Sequence, residues 1–235
     1  MFFPYLDTYW FIFIVPAMII AAIAQARVSS AFGKYSKIAG RRGITGLEAA
    51  KRVLSQAEVG GVSFGRVRGS MSDYYDPRSN TIFLSDTVYD STSIAALGVA
   101  AHEAGHAVQY ALGYFPIKIR SAIIPITKFG STLSVPLILL GFLFGGSTGE
   151  VLLSLGILLY ATVFVFQLVT LPVEYNASSR ALEALESGGV LGDDEIPKAK
   201  AVLSAAAMTY LAALITALAQ LLRIIFLARG RRRRD

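Results

Sequence analysis

The sequence predicts a mainly α-helical, polytopic membrane protein with three to four transmembrane helices and a small α+β region. Hydrophobic residues make up 54% of the 235 residues and charged residues only 16%, whereas a soluble domain carries about 25% charged residues. Four apolar stretches reach the roughly 20 residues that a membrane-spanning helix needs. They cover approximately residues 9–26, 122–144, 151–172 and 201–227.

These patterns divide the chain into five segments. Residues 1–26 form an N-terminal transmembrane anchor, and residues 27–120 form the α+β region. Residues 121–172 form a transmembrane helical hairpin, because only a short glycine-containing segment separates its two apolar stretches. Residues 173–200 form a further helix and loop, and residues 201–235 form an apolar helix with an arginine-rich tail.

The first apolar stretch has two interpretations. Residues 24–26 have the small-x-small form of a signal-peptide cleavage site. However, Asp7 precedes the apolar run and basic residues follow it, which is typical of an uncleaved anchor with a cytoplasmic loop after it. The sequence therefore predicts a multi-pass protein of the cell membrane with residues 27–120 on the cytoplasmic side. The basic residues are Arg27, Lys34, Lys37, Arg41 and Arg42.

The fourth apolar stretch conflicts with this topology. Four spans would place the basic tail outside, against the preference of lysine and arginine for the cytoplasm. Either the last helix lies in the membrane interface or lines the site without crossing, or the first segment does not cross, or the tail is an exception. The tail favours a membrane-surface anchor over nucleic-acid binding, because it has no interleaved aromatic residues.

Within residues 27–120 the patterns change between helix and strand. A capping box at the start of residues 45–57 predicts a helix there. Residues 62–67 and 81–85 have strand patterns. Serine and threonine caps at the start of residues 91–112 predict a second helix. The sequence therefore predicts a small α+β region between the first two apolar stretches.

The second predicted helix carries the motif His102-Glu103-Ala104-Gly105-His106. Residues i and i+4 lie on one helix face, so His102 and His106 can bind one metal ion about 2 Å from each ring nitrogen. Glu103 is offset by about 100° and can therefore take a proton from a metal-activated water. These are the only two histidines in the chain. The alternative is a pair of structural histidines on a core helix.

Small residues surround the motif, and Gly105 stands inside it. Glycine destabilises a helix interior by about 1 kcal/mol relative to alanine. We therefore expect close packing, rather than helix propensity, to explain Gly105. The small flanking residues are Gly98, Val99, Ala100, Ala101, Ala104 and Ala107.

A catalytic zinc site needs a third protein ligand. The chain has no cysteine and no third histidine, so an aspartate or glutamate must supply it. Glu174 is the first candidate, because it follows the third apolar stretch and a carboxylate there is costly without a partner. The alternative is an interfacial Glu174 that is solvated or paired with Arg180. Rival ligands in predicted turns are Asp73, Asp76, Asp86 and Asp90, whereas Glu183 and Glu186 fit a solvated helix face.

Taken together, the motifs resemble those of the YugP-type membrane zinc metallopeptidases and, more distantly, the HtpX and CAAX prenyl protease group. The resemblance covers nearly the whole chain, including residues 73–85, 102–106, 171–181 and 205–210. It implies an HExxH gluzincin arrangement with Glu174 as the third zinc ligand. The HtpX-like group usually has an aspartate four residues after that glutamate, where this chain has Ser178. Ser178 or Asn176 is therefore the candidate for its supporting role.

The expected reaction is peptide-bond hydrolysis by zinc-activated water, with one zinc ion per chain and Glu103 as general base and then general acid. Tyr210, Arg180 or Tyr175 is a candidate for oxyanion stabilisation, although each has a structural role as its alternative. The expected partners are a protein or peptide substrate and the lipid bilayer, without nucleic acid. The substrates expected are membrane proteins or their flanking segments.

Other functions are kept as alternatives. A structural or sensory zinc site needs His102 and His106 but is largely indifferent to Glu103. A metal transporter would place ligands within its spans, yet the apolar stretches contain no histidine, aspartate or cysteine at depth. The strand at residues 81–85 is either an internal strand or the strand with which an extended substrate pairs.

Overall fold

The computed structural model describes residues 7–232. It is 73% helical with a small three-stranded sheet, which confirms the predicted fold class. Among the described helices, four are long and apolar enough to cross a membrane: Trp10–Tyr35, Phe115–Leu143, Gly146–Ser187 and Ile196–Arg231. The chain forms two compact units. A helical unit contains residues 7–24, 119–171 and 209–232, and an α+β unit contains residues 25–118 and 172–208.

Two helices precede the sheet. Helix α1, Val15–Tyr35, follows a π-helical turn and continues past residue 26, where the predicted anchor ends. Helix α2, Gly46–Gln56, confirms the predicted capping box. The Thr45 hydroxyl accepts a hydrogen bond from the Glu48 amide, and the Glu48 carboxylate accepts one from the Thr45 amide. This reciprocal pair satisfies two donors at the helix start that would otherwise lack partners.

The sheet has the strand order β1-β3-β2, where β1 is Ser63–Val67, β2 is Tyr74–Asp76 and β3 is Thr81–Ser85. Strands β1 and β3 confirm the sequence predictions, whereas β2 is too short to show an alternating pattern. Strand β3 pairs in parallel with β1 and antiparallel with β2. Because both of its edges are paired, β3 has no free edge for an extended substrate. The interpretation that an extended substrate pairs with residues 81–85 was therefore wrong, and the alternative of an internal strand is confirmed.

Helix α3, Ile94–Ala111, is the predicted motif helix and lies in the core of the α+β unit. The Ser93 hydroxyl accepts a hydrogen bond from the Ala96 amide and caps the helix start. Its side chains pack with those of α2 and with buried residues later in the chain. These core residues include Ala49, Val53, Leu97, Ala104, Leu185 and Leu203.

The remaining helices are long. They are α4, Phe115–Leu143, α5, Gly146–Ser187, and α6, Ile196–Arg232. Helix α5 continues through Pro172, so one helix contains both the third apolar stretch and Glu174. Proline commonly ends a helix, which is why the sequence suggested a boundary there. Long membrane helices tolerate it, since neighbouring groups compensate for the lost hydrogen bond.

Glycines bring α4 and α5 together in the helical unit. A Cβ atom added at Gly130 would lie 2.7 Å from the Leu159 carbonyl oxygen, and one added at Gly156 would lie 2.6 Å from the Ile138 side chain. Small residues are the usual means of close helix packing in membranes. The backbones of the two helices are therefore closely packed at these positions.

Two arginines near the end of α6 bind residues from other parts of the helical unit. Arg223 donates hydrogen bonds of 3.0 and 2.6 Å to the Asp7 carboxylate. Arg231 donates to the carbonyl oxygens of Gly141 and Phe144, next to the hairpin turn. The start of the first span, the hairpin turn and the end of α6 therefore lie together.

Candidate metal centre

Two histidines on α3 begin the candidate centre. The rings of His102 and His106 have centroids 4.7 Å apart and planes at 81° to each other. They lie one turn apart on one helix face, as the i and i+4 spacing requires. The side chains of His102 and His106 are 14% and 11% exposed. The pair is therefore largely enclosed.

Glu174 on α5 lies against both histidines. Its Oε2 atom is 3.2 Å from His102 Nε2 and 3.4 Å from His106 Nε2. The carboxylate side chain is only 1% exposed. Over residues 7–232, these three residues form the one group of histidine, cysteine and acidic side chains close enough to share a metal ion, with ligand atoms within 4.8 Å of one another.

Gly105 allows α5 to approach α3 at this point. A Cβ atom added at Gly105 would lie 2.7 Å from the Ala177 carbonyl oxygen and 3.3 Å from two further backbone atoms of Ala177. Ala177 lies one turn after Glu174 on α5. Backbone contact between the two helices therefore explains the glycine inside the motif, as the sequence suggested.

A chain of polar contacts supports the histidines at their Nδ1 atoms, on the side of each ring away from Glu174. His102 Nδ1 lies 3.1 Å from Ser178 Oγ, and His106 Nδ1 lies 3.0 Å from Gln109 Oε1. The Gln109 amide group donates to the Val173 carbonyl oxygen at 2.8 Å and to Asn176 Oδ1 at 3.0 Å. Arg180 Nε donates to the same Asn176 oxygen at 2.8 Å.

The direction of these hydrogen bonds determines the tautomer of His106. Both partners of the Gln109 NH₂ group are oxygen acceptors, so the Gln109 carbonyl oxygen faces the ring. An oxygen acceptor at Nδ1 requires a proton on Nδ1. The neutral His106 ring therefore presents the lone pair of Nε2 towards Glu174. A metal-binding histidine commonly has this arrangement, with its other nitrogen donating to an oxygen.

The donor set fits a zinc ion. Ligand atoms about 2 Å from zinc in tetrahedral geometry lie about 3.3 Å from one another, and the two nitrogen-to-oxygen distances are 3.2 and 3.4 Å. A lone pair of His106 and a buried carboxylate oxygen also point at the same place, where a cation would stabilise both. Two imidazoles and one carboxylate leave a fourth position open, which is typical of catalytic zinc sites.

Glu103 lies next to His102 on α3 and is buried. Burial raises the pKa of the Glu103 carboxyl above its ordinary value, against the opposing effect of the two histidines. Nearby Glu174 and Asp73 raise the pKa further, because like charges disfavour ionisation. A base whose pKa is shifted towards neutrality suits proton transfer near neutral pH.

The candidates for supporting the histidines or stabilising an oxyanion separate into two groups. Asn176, Ser178 and Arg180 join the contacts behind the histidines, as described above. Tyr175 is 46% exposed on α5, and Tyr210 belongs to the helical unit.

The rival carboxylates have other partners. Asp73 accepts hydrogen bonds from the Ser85 amide at 2.7 Å and the Ser85 hydroxyl at 3.0 Å. Asp76 accepts from residues of the turn that follows it, and Asp90 pairs with Arg66. Within the described part of the chain, none of them joins the cluster around Glu174.

Gln109 is the residue of the centre that sequence reasoning missed. It is fully buried among apolar neighbours on α3, and its side chain touches both α3 and α5. A buried amide is costly unless its hydrogen bonds are made. The available signal was a glutamine three residues after His106 in an otherwise apolar helix.

The comparisons with known proteins concern the chain as a whole. A family model described as "Putative neutral zinc metallopeptidase" matches residues 10–229. The chain is also 42% identical to the Bacillus subtilis (strain 168) protein named "Putative membrane protease YugP", over 92% of this chain and 96% of that protein. No solved structure matches the chain. With a family model that spans nearly its whole length, the chain belongs to this zinc metallopeptidase family.

Proposed function

We propose that the protein is a membrane-embedded, zinc-dependent endopeptidase of the HExxH gluzincin type, distantly related to the HtpX and CAAX prenyl protease group. The observation that carries this proposal is the convergence of His102, His106 and Glu174 beside the buried base Glu103. One zinc ion per chain would polarise the scissile carbonyl and lower the pKa of a water molecule. The two histidines and Glu174 would hold it.

Glu103 performs the proton transfers in this proposal. Its carboxylate accepts a proton from the attacking water and then donates it to the leaving amine. Gln109 and Ser178 keep the imidazole rings in position, and the fixed direction of the Gln109 contacts preserves the tautomer of His106. We propose Arg180, Tyr175 or Tyr210 for stabilisation of the oxyanion that forms when water attacks the carbonyl.

The substrates proposed are membrane proteins or segments close to the membrane. Glu174 lies on α5, and the same helix contains an apolar segment suited to crossing the membrane.

We also propose a multi-pass protein of the cell membrane with its centre on the cytoplasmic side, supported by exposed basic residues after the first span. The chain has no cysteine, so an Arg42→Cys variant tests the side by labelling. Labelling of intact cells by an impermeant thiol reagent would contradict it.

The central experiment measures bound zinc and cleavage of an unfolded casein-like protein in detergent. It compares the wild type with Glu103→Gln and with Glu186→Gln, a matched control that makes the same change at an exposed position. We expect about one zinc in all three proteins, because none of these changes removes a ligand. Cleavage should be lost only in Glu103→Gln.

Three results would count against the proposal. Equal cleavage by Glu103→Gln and the wild type would refute the role of Glu103. Zinc binding by all three proteins without cleavage of any peptide in a broad substrate library would favour a structural or sensory zinc site. A His106→Ala variant that still binds zinc would refute the ligand set itself.

A further inference from the structure

A groove of about 450 Å³ lies between α5 and α6 in the helical unit. It follows α5 from Glu150 to Ala161, which is about three turns of helix. Most of its lining is aliphatic. The aliphatic residues include Leu153, Ile157, Leu158, Ala161, Leu221 and Ile225. Both helices are apolar enough to cross a membrane, so this lining suits a hydrocarbon chain.

The polar residues of the groove collect near the hairpin turn. Arg229 and Arg231 line it there, together with Glu150 and Ser154. Arg231 is held in place by its hydrogen bonds to the carbonyl oxygens of Gly141 and Phe144. These bonds hold its positively charged guanidinium at the hairpin-turn end of the groove.

Arg229 is the second cation of the groove and is exposed. Within residues 7–232 it has no hydrogen bond or ion pair. Arg232, Arg233, Arg234 and Asp235 follow in the sequence, which is therefore net basic after Arg229. Glu150 offsets only part of this charge.

We propose that the groove binds an anionic phospholipid, with its phosphate at Arg229 and Arg231 and an acyl chain along the aliphatic lining. Clusters of basic residues at the end of a membrane helix attract anionic lipids, at about 1 kcal/mol for each lysine or arginine. Among the described residues, the lining contains no aromatic side chain, whereas recognition of a choline group uses an aromatic cage. Charge and lining therefore both favour phosphatidylglycerol over phosphatidylcholine.

The test is native mass spectrometry of the purified full-length protein in detergent. Phosphatidylglycerol or phosphatidylcholine with identical acyl chains is added, and retained lipid is counted for each protein. The variants are Arg229→Gln, which removes one cation, and Ala161→Phe, which fills the aliphatic part of the groove. Arg52→Gln is the matched control, because Arg52 is exposed on α2 in the other unit.

We expect the wild type and Arg52→Gln to retain phosphatidylglycerol preferentially. Arg229→Gln should lower its retention about fivefold, as expected from the loss of one arginine beside an anionic lipid. Ala161→Phe should lower the retention of both lipids. Equal retention of the two lipids by the wild type would overturn the proposal, and so would unchanged retention by Arg229→Gln. Zinc content, measured in parallel, should stay the same in all variants.

Discussion

The sharpest prediction concerns Gly105, the glycine where α3 contacts α5. Replacing it by alanine places a Cβ atom 2.7 Å from the Ala177 carbonyl oxygen, whereas ordinary contact begins near 3.4 Å. The two helices must therefore separate by about 0.7 Å, the difference between these distances. Metal–ligand distances tolerate only about 0.2 Å. Since Glu174 lies on α5 and both histidines on α3, the Gly105→Ala variant should bind zinc less tightly.

The size of the effect follows from two opposing contributions. Alanine favours the helix by about 1 kcal/mol over glycine, while overpacking costs about 1–3 kcal/mol. Stability should therefore change little or fall modestly. Zinc affinity should fall at least about tenfold, because a disturbed support for the ligands typically has that effect.

The assay is competition for zinc with a chelator of known affinity, combined with thermal unfolding of the same samples. Gly98→Ala on the same helix is the matched control, because its added Cβ would meet its nearest neighbour at 3.8 Å, an ordinary contact. It should leave zinc affinity unchanged. Wild-type zinc affinity in Gly105→Ala would refute the argument that this glycine sets the spacing of the ligands.

Two further predictions concern the groups around the metal. Gln109→Leu should lower zinc affinity about 10- to 100-fold in a chelator competition, because His106 loses the acceptor that holds its tautomer; unchanged affinity would contradict this role. Since burial raises the pKa of Glu103 above 4.5, cleavage should decline as pH falls through a value higher than that, where the carboxylate becomes protonated. Zinc content measured at each pH separates this decline from metal loss, and a profile flat down to pH 4.5 would count against the assignment.

Much of the centre was predictable because its signals are local. Helical periodicity alone places His102 and His106 on one face, and the capping box at Thr45 determines the start of α2. Elimination also restricted the third ligand to a carboxylate, since the chain has no cysteine. These conclusions depend on residues within one or two turns of each other.

The strands show the limit of local patterns. The segments that form β1 and β3 were predicted, but the pattern of residues 81–85 did not show that β3 is the middle strand. Strand β2, with only three residues, has too few positions to alternate. Strand order depends on contacts between distant segments, which no short window of sequence contains.

The sequence by itself determined the motif, the apolar helices and the chemical types of the ligands. Only the tertiary structure decided that Glu174 faces both imidazoles and that Gln109 orients His106. It also decided that Gly105 leaves room for the backbone of α5. The physical reason is that contacts between α3 and α5, more than sixty residues apart in the chain, place Glu174 and Gly105 and fix the direction of the Gln109 amide. Their geometry exists only once both helices pack into one core.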